Sequence, residues 1–352
     1  TPAFATLGDS TIPSTPAPTP EPTPAAPPRN YRAFVMMYLR GGLDSFNMLV
    51  PTNCQLYNEY RTMRESIALS EGELLGITTT DQACTNFGIH PNLPYLRTLY
   101  NSGELAFISN IGNLREPLNA RTFRSGGKRC HGMFSHIDQE RSAKTLTCQT
   151  SRPIYKGAGG RLGDALADGP HGYRTESFSM AGRSSWAVGY SLQAKMVSAN
   201  SGAVSLKRKD KIITALDNIT SVKFGNLFCE EYRRQLKDAL RVNDELATTL
   251  QDATLSTGFP GNSISNQLKQ VARLIAARET RKAERDVFFT QFGHFDHHQN
   301  LAAGLRALLP QVNSAIQAFV TELKAQGSFN DVVFVMNTDF GRPLSPNSNS
   351  GT

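Results

Sequence analysis

Residues 286–301, DVFFTQFGHFDHHQNL, combine an apolar strand pattern with a turn that is rich in metal-binding groups. The run Val287, Phe288 and Phe289 favours a buried β-strand, and a long helical pattern follows the turn. Asp296 and three of the seven histidines of the chain lie between these two patterns. Carboxylates and imidazoles at the carboxyl end of a buried strand can hold a metal or a substrate in an open α/β sheet. The alternative interpretation is a solvated loop that merely contains several histidines.

Two other apolar runs predict strands of the same sheet. Residues 34–39, FVMMYL, are continuously apolar, which is typical of a strand covered on both faces, and a glycine turn follows before Asp44. Residues 332–336 come after the helical pattern and end shortly before Asp339, so strand, helix and strand predict a parallel pair. We therefore expect an α/β fold: an open, mostly parallel central sheet with helices on both faces. Asp44, Asp296 and Asp339 would share one edge of that sheet.

Weaker patterns complete the expected fold. Residues 105–110, LAFISN, are predicted as another buried strand, followed by a polar turn at 110–113. Pro310 is expected to kink the helical pattern or to start a second helix. Residues 172–220 are interpreted as short strands and loops, and residues 115–130, with many arginines and glycines, as an excursion from the core. Further helices are predicted at 57–67, 93–100, 161–168, 226–250 and 265–278.

The composition divides the chain into a linker and one domain. Nine of its 19 prolines lie in residues 1–28, within a stretch of Thr, Pro, Ala and Ser. We expect a disordered or extended linker over residues 1–29 and a single α/β domain over residues 30–352. No run of about 18 apolar residues occurs, so no transmembrane segment is expected.

The five cysteines bear on the cellular compartment. They show no Cys-x-x-Cys spacing, which argues against a zinc ribbon. Two disulfides, for instance Cys54–Cys84 and Cys130–Cys148 with Cys229 left over, and buried free thiols are equal alternatives. The Pro/Thr-rich tail, the sequon at Asn218 and an opening without Met favour a processed protein that is secreted or otherwise extracytoplasmic, in the periplasm or at the cell surface.

The net charge of +7 raises the question of nucleic-acid binding. The basic groups are spread along the chain, and their densest runs, at 207–211 and 278–285, contain no known binding motif. A soluble basic surface is therefore the favoured interpretation, and nucleic acid is not expected as a partner.

Five ordered motifs resemble a known family. They are LRGGLDSFNMLVP, HPNLPYLRTLYNSGELAFISNIGNL, MFSHIDQE, VARLIAARETRKAERDVFFTQFGHFDHHQ and NTDFGR. Together they resemble the domain-of-unknown-function family 1501, of the alkaline-phosphatase-like superfamily of metal-dependent hydrolases. The resemblance implies an alkaline-phosphatase-like domain and divalent metal ions, either zinc or magnesium, calcium or manganese.

The resemblance also implies roles for individual residues. Asp44 resembles the first-strand aspartate that bridges the metals, and Asp296 with His298 resembles an Asp-x-His ligand pair. Asp339 is a further implied metal ligand. Ser135 is the best match for the hydroxyl nucleophile, and Arg342 for a group that holds an anionic substrate oxygen.

Two departures from the family pattern affect these roles. His297 stands where the family usually has Thr, so it either adds a ligand or covers the site. The family's Asp-His pair would follow at about the point where the sequence ends, so we expect a C-terminally truncated domain that lacks metal ligands.

Each candidate residue also has a structural alternative. Asp44 could cap the next helix, Ser135 could cap the helix that follows it, and Asp339 could bind the backbone of its own turn. His131 and His136 are interpreted as hydrogen-bonded core or surface histidines.

The expected function is a secreted metal-dependent hydrolase. Its substrate would be a small or polymer-borne anionic ester, a phosphoester above all, because no Cys or Ser lies in the C/S-x-P-x-R arrangement of sulfatases. The alternative is an extracellular structural or binding module on the same fold without catalysis.

Overall fold

Helices and strands are assigned over residues 30–126, 128–148, 155–203 and 209–352, which are the residues described by the structure, a computed structural model. The strands are β1 (Arg32–Leu39), β2 (Leu49–Thr52), β3 (Leu75–Thr78), β4 (Asn86–Ile89), β5 (Thr175–Ser179), β6 (Ala194–Ser198), β7 (Gly202–Ala203), β8 (Arg285–Phe292) and β9 (Val332–Thr338). The helices are α1 (Gln55–Arg64), α2 (Pro94–Asn101), α3 (Ala120–Arg124), α4 (His136–Thr145), α5 (Ala158–Asp168), α6 (Lys209–Ser221), α7 (Leu227–Asp252), α8 (Ser263–Ala276) and α9 (Leu301–Ala325). The linker predicted for residues 1–29 lies outside the described residues.

The central sheet has the strand order β7-β6-β5-β8-β1-β9. All neighbouring pairs are parallel except β6 and β7, which are antiparallel. Strands β2, β4 and β3 form a separate antiparallel sheet. The predicted open, mostly parallel α/β architecture is confirmed.

Strand β1 is covered on both faces, as its continuous apolar sequence predicts. Val35, Met37 and Leu39 belong to the core cluster that contains the apolar faces of α8 and α9. Met36 and Tyr38 belong to a second cluster, with residues of α4 and of the turn around Trp186. Because side chains alternate along a strand, the two sets point to opposite faces, and helices flank both faces of the sheet.

Three details of the predicted fold need correction. Strands β8 and β9 are parallel, but they are not a pair, because β1 lies between them. Helix α9 runs through Pro310 as one helix, so no second helix starts there; the predicted kink remains a prediction. The last part of the region expected to contain strands and loops is instead helix α6.

The buried strand predicted at residues 105–110 is wrong, because the structure assigns no strand there. Leu105 and Phe107 pack against the core, whereas Ile108 is 79% exposed. The ion pair between Glu104 and Lys324 and the contact of Phe107 with Tyr100 hold the segment against helices. A strand needs a hydrogen-bonded neighbour as well as an apolar pattern, and no other strand in the described residues pairs with this segment.

Two disulfides join the cysteines in the first of the two predicted arrangements. Cys54 is bonded to Cys84 and Cys130 to Cys148, and Cys229 is an exposed free thiol. Disulfides of this kind are compatible with an oxidising, extracellular environment. Among the helices that the structure describes, none has the length and apolar character needed to cross a membrane.

Candidate metal centre

The loops that follow β1, β8 and β9 meet at the carboxyl edge of the sheet. The amide nitrogen of Phe295 donates to the carbonyl oxygen of Arg40, which joins the first two loops. Gly41 has φ +120°, and a Cβ there would lie 2.7 Å from the amide nitrogen of Asp296. Only glycine combines that backbone conformation with so close an approach, so the Gly41-Gly42 sequence lets the two loops pack together.

Asp296 is the central group of a cluster with two histidines. Its Oδ1 lies 2.8 Å from Nε2 of His298 and 3.3 Å from Nε2 of His136. One potential ligand atom of each of these three residues lies within 4.8 Å of the other two. The side chain of Asp296 is 44% exposed and that of His298 65%, so the cluster opens to solvent. We call the side chains of His136, Asp296 and His298 the carboxyl-edge cluster.

Helix α4 brings His136 to the cluster. Glu140 of this helix accepts from Arg40 at 2.9 Å, and Lys144 donates to Glu140 at 2.6 Å and to Gln291 at 3.0 Å. These bonds tie α4 to the ends of β1 and β8, and His136 is the first residue of the helix. Its position is therefore fixed by the sheet.

A buried carboxylate orients the His136 ring. Nδ1 of His136 lies 3.1 Å from Oδ2 of Asp339, and both carboxylate oxygens of Asp339 accept from the amide of Gly41 at 3.1 Å. The ring also packs against Phe340, with 4.9 Å between ring centroids. A carboxylate on the far nitrogen of a histidine is a common support for a metal ligand, because it fixes the tautomer and the orientation of the ring.

Arg342 holds Asp296 from the buried side. Its guanidinium donates to the carbonyl oxygens of Gly42 at 2.8 Å and Thr352 at 2.9 Å, and also to Gly41 and to Asp296. Burial by itself raises the pKa of Asp296, but the hydrogen bond and charge of Arg342, with the two histidines, hold that pKa below its usual value. Asp296 is therefore an ionised carboxylate at neutral pH, which is the form that binds cations.

The structure places Asp44 and Ser135 in structural contacts. The Asp44 carboxylate is fully buried, pairs with Arg64 and accepts from the amide of Phe46 at 3.0 Å. It thus caps the short turn Ser45–Asn47, which is the alternative expected from its sequence position. Ser135 caps α4 by accepting from the amide of Asp138 at 3.4 Å. The metal role of Asp44 and the nucleophilic role of Ser135 remain predictions.

His136 is the site residue that the sequence did not assign, while His297 contributes no atom to the carboxyl-edge cluster. The Nε2 of His297 would lie 2.2 Å from a Cβ at Gly304, so this ring packs against α9, and it meets the ring of Phe295 edge-on with centroids 6.2 Å apart. The signal for His136 was present in the motif MFSHIDQE, whose His follows the capping Ser. The sequence could not show that α4 would bring this histidine to Asp339.

The fold and the cluster define a class: an α/β domain with carboxylate and imidazole groups gathered at the carboxyl ends of its parallel strands. Residues 200–352 match the family described as Protein of unknown function (DUF1501). The match confirms the family that the sequence motifs predict, over a range that includes Asp296, His298, Asp339 and Arg342. Neither the curated proteins nor the solved structures gave a match to the chain.

Proposed function

We propose that the protein is a metal-dependent hydrolase of the alkaline-phosphatase-like superfamily, acting on a phosphoester or a related anionic ester. The observation that carries the proposal is the carboxyl-edge cluster, in which two imidazole nitrogens and one carboxylate oxygen lie within 4.8 Å of one another. Such groups converge where an open α/β sheet places its ligands.

The donor set fits a divalent cation and narrows its identity. His136 and His298 would supply nitrogen and Asp296 oxygen, and the exposure of the cluster leaves room for a substrate oxygen. Magnesium, calcium and manganese suit oxygen ligands, whereas zinc binds imidazole together with carboxylate. Among these ions we therefore favour zinc. A bound ion of this kind would supply Lewis-acid activation of the ester and of the attacking oxygen.

The protein's own groups hold that site in place. Asp339 fixes the ring of His136, and Arg342 keeps Asp296 ionised and oriented. Because Arg342 already donates to three carbonyl oxygens, we assign it a positioning role ahead of the predicted contact with a substrate anion. Ser135 lies at the amino end of α4, where the helix dipole stabilises negative charge on an attacking hydroxyl.

A binding module without catalysis is the second candidate. It is favoured by one observation: the carboxylate of Asp44 and the hydroxyl of Ser135 are both engaged in buried or capping contacts. In that case the cluster would bind a metal and an anion, and no bond would be broken.

Metal content tests the proposed site directly. We expect one equivalent of zinc in the purified protein and less than about a tenth of it in Asp296→Ala/His298→Ala, because two of three ligands are gone. His294→Ala is the matched control, since this exposed histidine belongs to the same loop and lies outside the cluster. If elemental analysis finds equal metal in the parent and the double variant, the proposed metal site is wrong.

Turnover separates the two candidates. Phosphoester and sulfate-ester substrates would be screened with the metal-loaded parent and with the double variant. Hydrolysis by the parent alone supports the enzyme. Full metal loading without turnover of any ester favours the binding module.

We also propose that the protein works outside the cytoplasm. The proposal rests on the two disulfides, Cys54–Cys84 and Cys130–Cys148, which persist in oxidising compartments and are rare in the cytosol.

A further inference from the structure

A segment with many basic side chains contacts the residues that lead into α4. Residues 115–129, which we call the basic arm, contain five basic side chains and one acidic side chain. All five basic residues are exposed: Arg115, Arg121, Arg124, Lys128 and Arg129. The acidic one, Glu116, accepts from the backbone amide of Lys128 at 2.7 Å.

Within the described residues, the cations of the arm have no carboxylate partner. In the described part of the chain, none of the five forms an ion pair. The arginines of α7 are different, because Arg233, Arg234 and Arg241 pair with acidic residues of the same helix. Uncompensated positive charge in the arm therefore creates a field that attracts an anion.

Aromatic contacts connect the arm to the site. The ring of Phe123, in α3, meets the ring of Phe134 edge-on, with centroids 6.0 Å apart, and the guanidinium of Arg129 lies 4.8 Å above Phe123. Phe134 is 91% exposed and stands two residues before His136, so their Cα atoms are at most about 7.6 Å apart. The Cys130–Cys148 disulfide also ties the end of the arm to the segment after α4.

We propose that the basic arm binds an acidic polysaccharide and holds it so that one of its ester groups reaches the carboxyl-edge cluster. This proposal rests on the proposed function and names its substrate class. A single small ester can engage only a few of the five cations, whereas an anionic chain can engage them in succession. Phe134 provides an exposed ring against which a sugar face can pack.

The disulfide at the end of the arm favours a polysaccharide over a nucleic acid as the bound polyanion. Oxidising compartments that preserve Cys130–Cys148 contain charged polysaccharides at cell surfaces, whereas nucleic acids are mainly intracellular. The experiment must therefore distinguish polysaccharide binding from nucleic-acid binding.

Heparin is the probe for the arm. We expect Arg121→Gln/Arg124→Gln/Arg129→Gln to bind heparin about 10-fold to 100-fold more weakly than the parent at 0.15 M salt, with a shallower salt dependence, because three charge contacts are lost. The matched control is Arg234→Gln/Lys237→Gln/Arg241→Gln, which removes the same charge from the exposed face of α7 and should bind as the parent does. Thermal unfolding of both triple variants shows that they are folded.

The outcomes separate this proposal from the hydrolase. Asp296→Ala/His298→Ala should keep full heparin affinity, because these residues lie outside the arm. If that variant loses metal and turnover but binds heparin, both proposals stand. If the metal site fails and heparin still needs the arm, the hydrolase and the presentation of an ester to the cluster are wrong, and polysaccharide binding by the arm stands. Equal heparin affinity of the arm variant and the parent would overturn the proposed binding role of the arm. Tighter arm-dependent binding of duplex DNA, or of vesicles of anionic lipid, would overturn the polysaccharide assignment.

Discussion

Strand β8 has a group of charged side chains at each end, and the two groups differ in burial and in pairing. At its amino end, Asp286 is fully buried, accepts from Tyr31 at 2.7 Å and pairs with Arg281, which also pairs with Glu176 at 2.6 Å. At its carboxyl end, the Asp296 side chain is 44% exposed and is shared by two histidines and Arg342. Both groups consist of carboxylates and basic partners near the two ends of this strand.

The difference shows which of the two is available to a ligand. At the amino end, Asp286 and Arg281 pair with each other while their side chains are 0% and 7% exposed, so removing one of the two is costly. The carboxyl end has a solvent-facing carboxylate and two imidazoles whose nitrogens face the same oxygen. That arrangement is weak as a stabilising contact and suitable as a metal site.

The largest expected effect is a difference in unfolding free energy between variants at the two ends of β8. Asp286→Ala should lower the free energy of unfolding by about 3–5 kcal/mol, because the buried Arg281 loses its main partner. Asp296→Ala should cost about 1 kcal/mol or less, since solvent reaches that carboxylate and Arg342 keeps its carbonyl partners. Urea denaturation measures both.

A double variant serves as the control for this prediction. Arg281→Met/Asp286→Leu replaces the buried pair with apolar groups and should recover most of the lost stability. Equal losses for Asp286→Ala and Asp296→Ala would show that both ends of β8 are structural.

The sequence predicts the parallel sheet and the common edge of Asp296 and Asp339 for a clear physical reason. Continuous apolar runs such as residues 34–39 require cover on both faces, and strands joined by a helix run parallel, so their carboxyl ends coincide. The shared carboxyl edge of the sheet could therefore be predicted from the sequence. Asp44, in the turn after β1, was expected at the same edge, but its carboxylate is paired with Arg64.

The parts that the sequence did not predict depend on tertiary packing. Arg64 reaches Asp44 because α1 turns that face inward, and a helical pattern does not say which partner an arginine will meet. His136 contacts Asp339 across a sequence separation of 203 residues. In the sequence, it follows the basic arm and Cys130. Residues 105–110 have a strand-like sequence, but strand formation there depends on a neighbour that lies elsewhere in the chain.

Metal-linked stability sharpens the comparison with a smaller effect. At a free zinc concentration 100 times the dissociation constant, the parent should gain about 2.7 kcal/mol of unfolding free energy, because the ion binds the folded state. Asp296→Ala/His298→Ala should gain none. Asp286→Ala, although weakened, should gain the same increment as the parent, because the amino end does not take part in binding. An equal gain in the double variant would contradict the site.

The smallest expected effect concerns Ser135, whose hydroxyl has both a capping role and a proposed nucleophilic role. Ser135→Ala should lose about 1 kcal/mol of stability with its cap, whereas Ser135→Asn should stay close to the parent, because Asn caps helices as well as Ser does. If the hydroxyl attacks the ester, both variants lose turnover of a phosphoester despite this difference in stability. Turnover retained by Ser135→Asn would mean that Ser135 only caps α4, and the attacking group would then have to be water at the carboxyl-edge cluster.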